Sequence, residues 1–102
     1  MLKVQIIRFV DIHQPGWVEC RLLDAWDCGW TFIEKVPVVT EAALDKLSDY
    51  PQDGLIACDI VKAWHDERGR SLVTVDTSQA WGIAAVGGES QFDVLASQIN
   101  GL

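Results

Sequence analysis

From Leu2 to Ile6 apolar and polar side chains alternate, with Leu2, Val4 and Ile6 set against Lys3 and Gln5. A period of two puts one set on a single face, so residues 2–12 read as a strand with one side buried. The phase slips afterwards, where Ile7 and Phe9 continue the apolar series on the other parity. Further stretches rich in β-branched and aromatic residues follow, each bounded by Pro, Gly or Asp. They predict strands over 17–27, 30–39, 55–65, 70–77, 81–86 and 89–97. In the last, Phe92, Leu95, Ala96 and Ile99 also fit a helical stripe, but the Gly87-Gly88 turn signal just before it favours a strand.

The punctuation between these stretches is specific. Gln14-Pro15-Gly16-Trp17 has Pro and Gly in the order of a type II turn. Asp27-Cys28-Gly29 and Asp66-Glu67-Arg68-Gly69 read as hairpin connections, with glycine supplying the left-handed residue. Pro37 has no N–H for a ladder, so its segment should be an edge or the end of pairing. One helix is expected, over 41–47: Thr40 can cap it, Glu41 suits its first turn, and Ala42, Ala43 and Leu44 are good helix formers. A helix of about two turns needs tertiary support, here from Leu44 and Leu47 packed on a sheet. Residues 48–54 read as a loop.

Successive hairpins with one short helix predict a mostly β chain. The expected architecture is a strongly coiled antiparallel sheet or small barrel of about six or seven strands. The length of 102 residues fits a single globular domain over 1–102. An internal echo runs through it. Residues 18–26 and 56–64 match at Cys20/Cys58, Ala25/Ala63 and Trp26/Trp64, 38 positions apart, with apolar swaps at Val18/Ile56, Leu22/Ile60 and Leu23/Val61. The echo predicts two similar hairpins, over 17–40 and 55–77. Leu22-Leu23 and Ile60-Val61 break the alternation, which implies either a β-bulge or a strand covered on both faces.

Composition narrows the function classes. The formal net charge is −7, spread along the chain. That argues against nucleic acid and against anionic membrane surfaces, both of which are held by Lys and Arg. No apolar run is long enough to span a bilayer. The first eight residues lack the length and the small-residue cleavage site of a signal peptide and read as a strand. Three cysteines, none in a Cys-x-x-Cys pair, suit a reducing, bacterial-type cytoplasm better than a disulfide scaffold.

Candidate chemistry is sparse. Cys20 and Cys58 fall on apolar strand faces and read as small buried hydrophobes. Cys28 sits beside Asp27, which disfavours a reactive thiolate. His13 and His65 lie at strand ends in polar loops, without the spacing of a zinc site. No phosphate-binding loop, nucleophile elbow or dinucleotide fingerprint is present, and no catalytic residue, metal or cofactor is expected. The acids and tryptophans offer more. Asp24, Asp27, Asp66 and Glu67 fall at the same ends of the two echoed hairpins and would form one acidic rim if these lay side by side. Trp26 and Trp64 just precede the turns, where exposed indoles would serve recognition.

These residues predict a non-enzymatic module that binds another protein, most naturally a basic one, as an immunity or antitoxin protein does. Two rival readings remain at this level. One is a small-molecule-binding barrel or minor enzyme with a Trp/His-lined pocket. The other is a homo-oligomer joined through edge strands.

Overall fold

Strand β1 (Leu2–Asp11) carries the alternation into packing: Leu2, Val4 and Ile6 are buried, and Lys3 and Gln5 face water. The computed structural model describes residues 1–101. Next to β1 lie β2 (Trp17–Leu23), β3 (Gly29–Lys35) and β4 (Gln52–Ile56), in an antiparallel sheet ordered β3-β2-β1-β4. A second antiparallel sheet holds β5 (Asp59–His65), β6 (Ser71–Asp76) and β7 (Gln91–Leu95), in that order. The described helices are single turns: α1 (Val36–Val39), α2 (Ser78–Trp81) and a 3-10 turn over Ala96–Gln98. The fold is thus mostly β with seven strands, and its sheets are not closed into a barrel.

The phase slip in β1 is structural. Opposite β2 the register jumps between Ile6 and Arg8 and again between Phe9 and Asp11. An extra residue at each point re-aims the strand, which accounts for the loss of alternation. Val18, Cys20 and Leu22 of β2 and Phe32 of β3 share the inner face of the first sheet, and Val73, Val75, Phe92 and Val94 meet them from the second. Phe92 is the aromatic contact between the sheets. Its ring lies 5.3 Å from Trp30 and 5.6 Å from Phe32, edge to face in both cases. Such pairs add about 0.5–1.5 kcal/mol beyond the burial of their area.

Several expectations are corrected. No helix forms over 41–47; the helical turn is earlier, at α1, where Pro37 occupies a first-turn position that needs no N–H donor. Thr40 is extended and its hydroxyl accepts the Ala42 N–H. Asp45 takes the Leu47 N–H, and Ser48 Oγ takes that of Asp45. These side chains satisfy the backbone locally and so compete with a helix. Leu47, meant to anchor the helix, is 86% exposed.

The stretch read as one strand over 55–65 is two. β4 starts earlier, inside the expected loop, and ends at Ile56; after Ala57 and Cys58 the chain enters the other sheet. Residues 81–86 are not a strand either. The Asp76 carboxylate accepts both the N–H and the hydroxyl of Ser78, and the buried Thr77 hydroxyl donates to the Ile83 carbonyl at 2.6 Å, which shapes α2 and the segment after it. The first turn is closed by the Gly16 N–H on the His13 carbonyl. Pro15 therefore stands third in the turn, not second as a type II turn has it. Pairing ends at Lys35, just before Pro37, and residues 91–95 are a strand, both as expected.

Truncating the fully buried ring in Phe32→Ala should cost about 3–5 kcal/mol in urea unfolding. Leu47→Ala should stay within about 0.5 kcal/mol of the parent, because it removes no buried contact.

Candidate functional site

The two hairpin connections, 24–28 and 66–70, are built alike. The Asp24 carbonyl accepts the Asp27 N–H at 3.2 Å, and the Asp24 N–H donates to the Cys28 carbonyl at 2.9 Å. In the second loop the Asp66 carbonyl accepts the Gly69 N–H at 3.0 Å, and the Asp66 N–H donates to the Arg70 carbonyl at 3.1 Å. Each is a three-residue loop that closes through one left-handed residue: Asp27 at φ 61° and Gly69 at φ 77°. Gly29 was the expected left-handed residue of the first loop; Asp27 takes that place, a conformation aspartate tolerates better than most residues. The leading Asp shapes each turn. One oxygen of Asp24 accepts the N–H groups of Trp26 and Cys28, and one oxygen of Asp66 accepts those of Arg68 and Arg70.

Equivalent positions are therefore 42 residues apart, as for Asp24 and Asp66 or Asp27 and Gly69, not the 38 of the sequence echo. Trp26 is third in its five-residue connection, whereas Trp64 lies within β5. The matched cysteines are inequivalent too: Cys20 is inside β2, and Cys58 is in the link between the sheets. The bulge expectation holds for one copy only. β5 has a register shift between Ile60 and Lys62, whereas β2 runs in regular register past Leu22 and Leu23.

This mismatch brings the two indoles together. Trp26 and Trp64 lie 6.3 Å apart between ring centres, tilted by 40°. Their ring N–H groups are held by one pair of residues. Trp64 Nε1 donates to Thr74 Oγ1 at 3.1 Å, and that hydroxyl donates to Asp93 Oδ1 at 2.7 Å. Asp93 Oδ2 accepts Trp26 Nε1 at 3.2 Å. Arg70 ties the loops together: its guanidinium is 5.5 Å from the Trp26 ring centre, Nε donates to Asp66 at 2.7 Å, and Nη1 donates to the Ala25 carbonyl at 3.2 Å. Lys62 Nζ is 5.2 Å from the Trp64 ring centre. The outer face of the second sheet thus presents a row of cation, indole, indole and cation.

Trp26, Asp27, Trp64, Asp66 and Glu67 line one open depression with His65 and Arg68. Asp24 does not join them. It is 8% exposed, and its second oxygen accepts Trp30 Nε1 at 2.9 Å, so it is a turn and core acceptor. Asp66 is paired with Arg70, whose side-chain hydrogen bond holds its carboxyl below the usual carboxylate range. Asp27 and Glu67 are the exposed acids of the rim, and Arg68 adds a positive charge beside them. Thr74, Asp93 and Arg70 were not singled out from sequence. An indole N–H needs a partner when its ring is packed, but the register that supplies those partners is not readable from the sequence.

The remaining candidates are dispersed. His13 and His65 are exposed, against Asp11 and Ser71 respectively. Burial pushes the Cys20 thiol up to about 12 and also raises that of Cys58, while Cys28 is exposed. Among the described residues, no three metal-ligating side chains gather. No described helix is long and apolar enough to cross a membrane.

With a thiol-specific disulfide reagent at neutral pH, Cys28 should react in the folded chain and Cys20 only on unfolding; a native Cys20 reaction would contradict its burial. The Asp66 carboxyl is lower in the folded chain than its ordinary value of 3.8. Its stabilising contribution is therefore complete above that value and is lost as pH falls through the folded one. Thermal melts between about pH 2 and 6 should show a shallower acid decline for Asp66→Asn than for the parent. Comparisons with family models, curated proteins and solved structures return no match for this chain.

Proposed function

We propose that this chain is a non-enzymatic protein-binding module that engages a basic partner through the joined ends of its two hairpins. An immunity or antitoxin-type inhibitor acting in a bacterial cytoplasm has this profile. The observation that carries the reading is the state of Trp26. It is 47% exposed, yet Asp93 holds its ring N–H, Trp64 lies against it and Arg70 sits over it. An exposed aromatic that is already fixed loses little freedom on binding, which favours its use as an anchor. Asp27 and Glu67 flank it and can accept hydrogen bonds from Lys or Arg, and the net charge of −7 steers a cationic protein toward the chain.

A ligand pocket of Trp and His has less support. Trp26, Trp64 and His65 do share a depression, but it is open and lined mostly by charged side chains, and the space between the sheets is filled by apolar ones.

The test immobilises the protein, passes soluble extract of its source cells over it, and identifies retained proteins by mass spectrometry. A cationic protein should be held at low salt and released as salt rises. Trp26→Ala should weaken its retention about tenfold or more, and Asp27→Lys/Glu67→Lys should abolish it. Equal retention by these variants would sink the proposal.

A further inference from the structure

The second sheet has an edge that nothing among the described residues covers. Along β5, six of seven residues are exposed, and β6 supplies its only described ladder. The other edges are covered in part. The Thr31 carbonyl of β3 takes the Val86 N–H, the Asp93 carbonyl of β7 takes the Ala25 N–H, and α1 packs beside β4. Among the described residues, no such bond reaches the outer side of β5. Ile60 and Val61 stand on it 47% and 53% exposed. A free row of backbone donors and acceptors beside apolar side chains is a template for another strand.

We propose that β5 pairs with β5 of a second copy of this chain, antiparallel about a two-fold axis, with Asp59 opposite Lys62. The bulge makes this register self-complementary. Asp59 lies opposite Asp76 and Lys62 opposite Thr74, positions that share one face of β6. On a regular strand, residues three apart point to opposite faces. The extra residue at Val61 restores the parity, so Asp59 and Lys62 project from the same side. In a two-fold interface each contact occurs twice, so this one pair yields two opposite-charge pairs. The same register sets Ile60 opposite Val61 in both directions and covers them. A register centred on Lys62 would instead set two ammonium groups opposite each other, which disfavours it. The resulting six-stranded sheet would carry two copies of the tryptophan surface, but the pairing does not depend on that surface being a binding site.

Sedimentation equilibrium over a wide concentration range tests this, with circular dichroism to verify folding. The parent should move from the 11.3 kDa monomer to a dimer as concentration rises. Asp59→Lys alone and Lys62→Asp alone should each weaken the dimer about tenfold or more, because like charges then oppose twice. Mixed in equal amounts, the two variants should recover the dimer, since one copy supplies both positive charges and the other both negative. The double variant Asp59→Lys/Lys62→Asp should dimerise like the parent. Trp26→Ala should leave the dimer unchanged, which separates this result from the partner reading. A parent that stays monomeric at every concentration, or single variants that fail to recover on mixing, would overturn the proposal.

Discussion

Phe92 and Asp93 are neighbours on β7 that point to opposite faces, and the two sheets are joined through them. Phe92 goes inward and packs edge-on against Trp30 and Phe32 of the first sheet. Asp93 goes outward, holds Trp26 by its ring N–H, and offers its carbonyl to the Ala25 amide at 2.9 Å. One strand thus grips the first hairpin from inside by apolar packing and from outside by hydrogen bonds. The inner contact sets how the sheets meet. The outer one sets the first loop against the second sheet, where Arg70 can reach the Ala25 carbonyl and Trp64 can meet Trp26.

Much of this fold was legible because it rests on short-range rules. The period of two in β1, its phase slip, the Gly69 turn and the end of pairing before Pro37 all depend on local sterics and alternation. The change of sheet after Ile56 was not legible: Ala57 and Cys58 carry no Gly or Pro to mark it, and the two sheets diverge there for long-range reasons. The expected helix over 41–47 had adequate propensity but no surface for Leu47. Propensity alone does not sustain so short a helix against Asp and Ser side chains that bond the backbone locally.

The echo shows a subtler limit. Likeness of side chains suggested a spacing of 38, but the loops align through the hydrogen bonds of Asp24 and Asp66 at a spacing of 42. Trp26 and Trp64 were named for a symmetry they do not have, and they meet because that symmetry is broken. The acidic rim rests in the sequence on charge and on the shared ends of the two echoed hairpins. In the folded chain Asp24 serves its own turn and Trp30, Asp66 is occupied by Arg70, and two cations stand beside the indoles. The surface is mixed in charge, with aromatic rings at its centre.

The contact between the two ends of the described chain has a consequence for the entropy of folding. The Asn100 amide donates to the Met1 carbonyl, the Met1 ammonium donates to the Asn100 carbonyl, and Leu2 bridges Ile99. The β1-β2-β3 and β5-β6-β7 meanders join strands consecutive in sequence, through connections of at most fourteen residues. The terminal bridge instead spans nearly the whole chain and carries the largest loop-closure entropy in the molecule. Together with the β1-β4 pairing it raises the contact order of the fold above that of the two meanders alone. The ends thus meet in a seam flanked by the two meanders, and closing it costs more chain entropy than closing any of their hairpins.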